Sequence, residues 1–332
     1  NPPFHEGQST LLHRQADNVW RIDFDLGWDA DPEEEKKPEN IIPRVKAFLG
    51  EDVEFELEWA SVYSFTCRRM DDFRHGRIFF AGDAAHQVSP FGARGANSGI
   101  EDIDNLTWKL QAVMNGQADD SLLDTYSEER VFAADENILN STRSTDFITP
   151  KNGANRAFRD AVLWLAKDYT FARPLVNSGR LSVPPFLTES PLNTEDDGSF
   201  NCKVVVGAPC TDGPVKRNGE DSFLLGALGN VFNGMLFVDS RSDLTAEAVA
   251  QLGELAQQDV PVKSYIVASH DMDIALPEGV ELLIDSVGVV KERLDAKGGT
   301  FYLMRPDQLV TARMRSFDKA AVVAAQSKAL AK

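Results

Sequence analysis

The chain has 332 residues, enough to bury a sizeable core and to hold two domains, and its 42% hydrophobic and 26% charged content is ordinary for a soluble globular protein. A formal net charge of −18 and a pI near 4.7 argue against nucleic acid or anionic membrane as partners, because phosphate binding needs basic surface; the acidity serves solubility. No apolar run approaches the ~20 residues of a membrane span, and no signal peptide is evident.

The three cysteines, Cys67, Cys202 and Cys210, form neither a CxxC pair nor a metal-ligand cluster, and an odd number of scattered cysteines fits a reducing cytoplasm. The five histidines, at 5, 13, 75, 86 and 270, lie too far apart in sequence to suggest a metal site. No strand is followed by GxGxxG, the turn that would cradle an ADP pyrophosphate.

In chain order, residues 9–14 and 19–26 alternate apolar and polar around Ala16-Asp17-Asn18, which predicts a β-hairpin. Asp31 to Asn40 is acidic and proline-bounded and reads as a solvated loop. Ile41 to Leu49 has helical spacing and stops at Gly50. Val53 to Cys67 alternates again and reads as strands.

Residues 77–110, RIFFAGDAAHQVSPFGARGANSGIEDIDNLTWKL, organise the rest. Ile78-Phe79-Phe80-Ala81 has the length and composition of a buried strand, ended by Gly82-Asp83. A loop rich in Pro and Gly leads to a helix starting near Gly95-Ala96-Asn97, with Ile100, Ile103, Leu106, Leu110 and Val113 at helical spacing. A carboxylate at a strand's end can accept hydrogen bonds from sugar-type hydroxyls, and the N–H groups and dipole of a helix start can hold a negative oxygen. On these residues alone, a cofactor loop and an ordinary β-loop-α crossover with glycine for turn geometry both remain open.

Beyond Asn115-Gly116, Ser121 is a plausible N-cap, with Asp124 three residues on, for a long helix that stops before Pro150. Residues 155–178 read as another helical stretch with Phe158, Val162, Leu165 and Leu175 inward. Leu181 to Ser199 is rich in Pro, Ser and acidic residues and reads as a linker. After it come strands at Phe223-Leu-Leu, Gly234 to Asp239, Val262 to Ala268 and Glu281 to Asp285, with helices at Thr245–Leu255 and Val289–Leu294. A hairpin joined by Arg305-Pro-Asp-Gln and a helix from Asp318 to Leu330 close the chain.

GDAAH at 82–86, Pro90, GxxGxN at 92–97 and D-x-x-N-L-x-W-K-L at 102–110 together resemble the second FAD-binding motif of the class A flavoprotein monooxygenases, the aromatic-ring hydroxylases related to phenol hydroxylase and 3-hydroxyphenylpropionate hydroxylase. The fold class expected is therefore α/β (α+β). The resemblance implies part of a substrate-binding β-sheet domain over 1–70, the C-terminal part of an FAD-binding domain over 71–180, a linker over 181–199 and a thioredoxin-like domain over 200–332. That family carries GxGxxG at its N-terminus and a further Asp-Gly motif before its substrate domain, and neither stands in that place here. The sequence, which opens on Asn1-Pro2-Pro3-Phe4 without Met, is expected to be the C-terminal portion of a longer hydroxylase whose missing N-terminal segment binds the ADP end.

Carried over by residue, the resemblance gives Asp83 a ribityl hydroxyl and brings the Gly82-Asp83 backbone near the diphosphate arm. Pro90, Phe91 and Gly92 pass along the flavin ring, and the helix start at Gly95, Ala96 and Asn97 points N–H groups at the flavin C2 carbonyl, where reduced flavin is anionic. Ala93 stands where most members have Gly. His86 is read as structural, holding the loop, and the acidic residues 101, 102 and 104 as helix-dipole partners with no further role. Tyr63 and Phe65 could face substrate, or be plain core aromatics. An arginine near Arg68 and Arg69 recurs in similar sequences, which implies a structural ion pair or, alternatively, a flavin or substrate contact.

The implied reaction is hydroxylation of an aromatic or phenolic substrate with FAD, NAD(P)H and O2 through a flavin C4a-hydroperoxide, with the catalytic base not identifiable. The alternatives are an FAD oxidoreductase acting on a non-aromatic substrate, and a non-catalytic fragment unable to hold FAD alone. Cys202 and Cys210, separated by seven residues, lack the paired low-pKa motif of thioredoxin chemistry, so the last domain is read as structural or as support for an oligomer such as a homodimer.

Overall fold

A computed structural model describes residues 9–332 apart from Trp28, Phe91 and Asp197, and only the backbone of Ser182. The hairpin forms as predicted from β1 (Thr10–Arg14) and β2 (Trp20–Phe24), with Thr10 opposite Phe24 and Arg14 opposite Trp20. Its turn places Asp17 and Asn18 at φ 54° and 60°, left-handed values that Asp and Asn tolerate. The acidic stretch expected as loop holds a short helix, α1 (Pro32–Glu35), because Asp31 accepts the Glu33 amide at 2.9 Å and Pro32 sits in the first turn. Helix α2 (Pro38–Leu49) then runs to Gly50.

The strands expected over Val53–Cys67 do not form; that stretch has no regular secondary structure, and β3 (Arg68–Arg69) follows it. Alternation prepares one face of a strand but does not supply the partner whose hydrogen bonds make it one. Likewise the apolar run at 78–81 is not a buried central strand. β4 (Arg74–His75) and β5 (Ile78–Phe79) make a two-stranded hairpin, whose one packed side takes Phe79 and leaves Ile78 61% exposed.

After β6 (His86–Gln87) comes α3 (Arg94–Met114), which starts one residue before the predicted Gly95. Ile100 and Ile103, expected inward, are exposed, whereas Leu106 is buried. Ser121 lies inside a 3-10 turn at Asp120–Leu123 rather than capping a helix, and α4 (Asp124–Ile148) follows directly. Helix α5 (Gly153–Asp168) is capped by Asn152, whose side chain accepts the Asn155 amide at 2.9 Å. The short α6 (Arg173–Val176) completes this stretch. Of its predicted inward residues Val162 is buried, but Phe158 and Leu175 are mostly exposed.

The C-terminal region contains β7 (Pro214–Arg217), β8 (Glu220–Phe223), α7 (Leu224–Ala227), β9 (Phe232–Val238), α8 (Ala246–Ala256), β10 (Val262–Ala268), β11 (Val280–Ile284), α9 (Val289–Arg293), β12 (Phe301–Met304), β13 (Val310–Met314) and α10 (Lys319–Ala329). Phe223-Leu-Leu thus turns from strand into helix at Leu224. These strands form one mixed sheet in the order β13-β12-β9-β10-β11-β7-β8, with β9, β10 and β11 parallel and the other neighbours antiparallel. Successive residues of β9 alternate between two cores. Leu236 and Val238 join Leu252 and Leu255 of α8 and Val322 and Ala325 of α10, while Met235 and Phe237 join Leu224 of α7 and Val290 of α9.

Two compact units result. One comprises residues 1–68, 87–94 and 137–183. The other comprises 69–86, 95–136 and 184–332, so the seven-stranded sheet shares a unit with most of α3, the start of α4 and the GDAAH turn. Trp108 and Ala112 of α3 belong to the same core as Leu236 and Leu303 of the sheet.

Candidate functional site

The motif is built from the turn outward. Gly82 ends the apolar run at φ 58°, a left-handed value that suits glycine. Gly82–Ala84 then form a 3-10 turn, closed by the Ala85 amide donating to the Gly82 carbonyl at 2.9 Å. The turn lies against the second turn of α3: a Cβ added at Gly99 would sit 3.3 Å from the Gly82 Cα. A side chain at 99 would press on the turn, which would have to give by a few tenths of an ångström.

Asp102 fixes this arrangement. Its fully buried carboxylate accepts the Gly82 amide at 2.8 Å and His86 Nε2–H at 2.7 Å on Oδ2, and Arg130 Nε–H at 2.6 Å on Oδ1. Arg130 also donates to the Ser98 carbonyl at 3.3 Å and to Glu101 at 3.1 Å. Burial pushes the Asp102 carboxyl up, but the His86 hydrogen bond and the Arg130 charge outweigh it and hold the group below the usual carboxylate range. His86 stacks on buried Phe73 with ring centroids 5.6 Å apart. Asp102 is therefore more than a dipole partner: it joins the turn, the helix and α4.

The predicted site residues divide between the units. Gly82, Asp83, Gly95, Ala96 and Asn97 lie in the unit that holds the sheet; Asp83, Ala96 and Asn97 are exposed there. Pro90 and Gly92 lie in the other unit, and Phe91 lies outside the described residues. Gly92 has φ 85°, and a Cβ on it would meet Leu181 Cδ2 at 2.8 Å. Ala93 takes φ 52°, a left-handed value that matches the glycine expected at this position.

Tyr63 and Phe65 are not core residues. They are 50% and 45% exposed, make a T-shaped pair with centroids 4.8 Å apart, and Tyr63 accepts a 2.8 Å hydrogen bond from Arg21. Arg69 forms a two-pronged pair with Asp135 at 2.7 and 2.9 Å. All three cysteines are free; burial pushes the Cys210 thiol up to about 12, the opposite of a reactive thiolate.

A second buried charge cluster escaped the sequence reading. Lys109 Nζ donates to Glu129 at 2.7 Å, Arg305 donates to Glu129 at 2.5 and 3.1 Å and to Asp307 at 2.6 and 3.0 Å, and all four side chains are at most 3% exposed. The signal was available. Asp102 and Lys109 lie four residues before and three after Leu106, on the inward stripe of α3, where a charge must be buried and therefore paired.

Residues 7–141 match the family model described as an FAD binding domain. This part of the chain is similar to FAD-binding-domain sequence. A curated relative from Mycobacterium sp. strain JLS, named 3-(3-hydroxy-phenyl)propionate/3-hydroxycinnamic acid hydroxylase, is 29% identical over 306 residues, 89% of this chain and 52% of the relative. Its namesake from Mycolicibacterium smegmatis is 37% identical over 148 residues, 45% of this chain and 26% of the relative. The chain thus spans about half, or less, of the length of the curated relatives it matches. A crystal structure of aklavinone-11 hydroxylase with FAD and aklavinone is similar in fold, with a TM-score of 0.70 at 22% identity, covering 99% of this chain and 58% of that one. The chain resembles the FAD-dependent aromatic hydroxylases in sequence and in fold.

Proposed function

We propose that these residues form part of an FAD-dependent monooxygenase that hydroxylates an aromatic or phenolic substrate with NAD(P)H and O2. The observation that carries the reading is the Gly82–Ala84 turn, which presents exposed Asp83 while the Gly82 backbone is tied through Asp102 to the helix that begins at Arg94. Those residues fit the ribityl and ring end of a flavin: Asp83 would accept a ribityl hydroxyl, and the Ala96 and Asn97 amides would face the C2 carbonyl. When bound, FAD supplies the redox chemistry and oxygen activation. This chain's part is to hold it, to set the turn rigidly through Asp102 and His86, and to place a helix start where negative charge is stabilised.

In this reading the adenosine diphosphate end is held by protein outside these residues, which agrees with the absence of GxGxxG from the sequence. Residues 1–70 then belong to a substrate-binding domain and 71–180 to the FAD domain. Residues 200–332 form a thioredoxin-like domain, supported by the β13-β12-β9-β10 order with its antiparallel hairpin before the last helix. Three free cysteines, and the lack of any described helix long and apolar enough to cross a membrane, suit a cytoplasmic setting.

The test is a flavin titration of the purified chain, read as the visible flavin band and fluorescence, with Asp83→Ala beside it. Binding that weakens in the variant supports the reading. A preparation that stays colourless with added FAD sinks the claim that this chain grips the cofactor unaided. For the full-length enzyme, substrate-stimulated NAD(P)H oxidation across a panel of phenols is expected, and its absence with every phenol defeats the hydroxylase assignment.

A further inference from the structure

We propose that the β12–β13 turn of the C-terminal sheet is a positioning element for the GDAAH turn, acting through a continuous buried polar seam between α3 and α4. The inference rests on the flavin reading above for its purpose, though not for its geometry.

The seam starts at the sheet. Arg305 and Asp307 flank the β12–β13 turn and pair with each other. Asp307 Oδ2 accepts Trp108 Nε1–H and Asn105 Nδ2–H from α3, each at 3.1 Å. Arg305 grips Glu129 of α4, which also accepts Lys109 and Asn105 of α3, both at 2.7 Å, and the Ser190 hydroxyl. The Arg305 guanidinium also lies over the Trp108 ring, 5.4 Å from its centroid, within cation–π range. One residue on, Arg130 takes up Asp102, and Asp102 holds Gly82 and His86. Every link joins groups that are buried or nearly so, where a bond to a charged partner is strong and a missing partner costly.

Charge balance makes the seam an all-or-none device. Lys109 and Arg305 offset Glu129 and Asp307; deleting one member leaves an unpaired buried charge, and α3 and α4 must shift to admit water. Because Glu129 and Arg130 are adjacent on α4, a shift at the first reaches the second and so the Asp102 carboxylate. Arg305, Asp307 and Trp108 are thus positioning residues for a turn that none of them touches.

Amide hydrogen exchange on the 332-residue chain tests this. Trp108→Phe keeps an aromatic side chain but removes the donor to Asp307 together with the indole's second ring; Arg305→Met removes the fork; Arg217→Met, which breaks a part-buried pair with Glu281 on the same sheet, is the control. The expected result is exchange about tenfold faster in peptides covering 82–87 and 95–103 in both seam variants, with the core strands β9 and β10 unchanged and the control silent. Arg305→Lys, which keeps the charge but not the fork, is expected to fall between. Where Arg305→Met does not fold, Trp108→Phe alone decides. Loosening confined to 304–310, or equal loosening in the control, overturns the proposal. Failure of the flavin reading would appear separately, as no FAD binding by the unaltered chain, while these exchange rates would still settle the coupling.

Discussion

The two units treat similar apolar patterns in opposite ways. In the unit with the sheet, β9 is buried along its whole length and divides its residues between two cores. In the other, Trp59, Phe158, Trp164 and Phe171 are all more than half exposed, although their segments are no less apolar. The difference lies in partners rather than composition. Every strand of the sheet finds its neighbours within 214–314, whereas the alternating stretch 53–67 has no ladder to join. Patterning states which face seeks burial; only the presence of a second surface decides whether burial occurs.

Substitutions can break that comparison. The largest expected loss is from Glu129→Gln, which takes the carboxylate from buried Lys109, leaves Arg305 with Asp307 alone, and should cost about 3–5 kcal/mol in chemical denaturation. Next, Leu303→Ala in β12, at a site with no exposure, should cost about 2–5 kcal/mol, while Phe158→Ala in α5 should stay within about 0.5 kcal/mol. Comparable losses from the two would show that Phe158 is covered in solution. Gly92→Ala adds a left-handed alanine facing Leu181, and a loss of about 1–2 kcal/mol is expected. The smallest change is Ala93→Gly, a gain of about 0.5 kcal/mol as relief of the φ of 52° outweighs the added chain entropy.

Acid should distinguish the regions as well. Burial pushes the Glu129 carboxyl up, but the charges of Arg305 and Lys109 win and hold it well below its ordinary value, and Asp102 is lowered by His86 and Arg130. A depressed folded-state pKa contributes stability that is complete above the unfolded carboxylate range and is lost as pH falls through the folded value. Stability of the sheet-bearing unit should therefore be level between about pH 5 and neutrality and decline below that range, with a shallower decline in Asp102→Asn. An identical acid profile for that variant would remove Asp102 from the account.

Much of this was legible in the residues. The first hairpin, α3, α8, β10, the closing hairpin and α10 follow from alternation, helical spacing and caps such as Thr245 and Asp318. The hairpin β7–β8 was missed although Asn218-Gly219, with φ 54° and 83°, is a strong hairpin signal; the strands around it are short and barely apolar. At the site, GDAAH and the helix start could be read because their chemistry is local. The partners of Asp102 and Glu129 could not, since Arg130 and Arg305 are brought to them only by folding, in the second case from 176 residues away.

The sheet's two borders carry a last consequence, for solubility. At one border, β8 is four residues long and shows solvent Glu220 and Asp221, charges that deter another strand from adding there. At the other, two short pieces of chain lie along β13: the Thr194 amide donates to the Thr311 carbonyl at 2.9 Å, the Gly207 amide to Val310 at 2.8 Å, and Val310 in turn to Ala208 at 2.9 Å. The end of the stretch that reads as a linker, with residues 207–208 after it, is thus a selvage that keeps the weave from catching on its neighbours. A version of the protein beginning after residue 210 would bare β13 and should precipitate as β-rich aggregate, even with every core residue of the sheet in place.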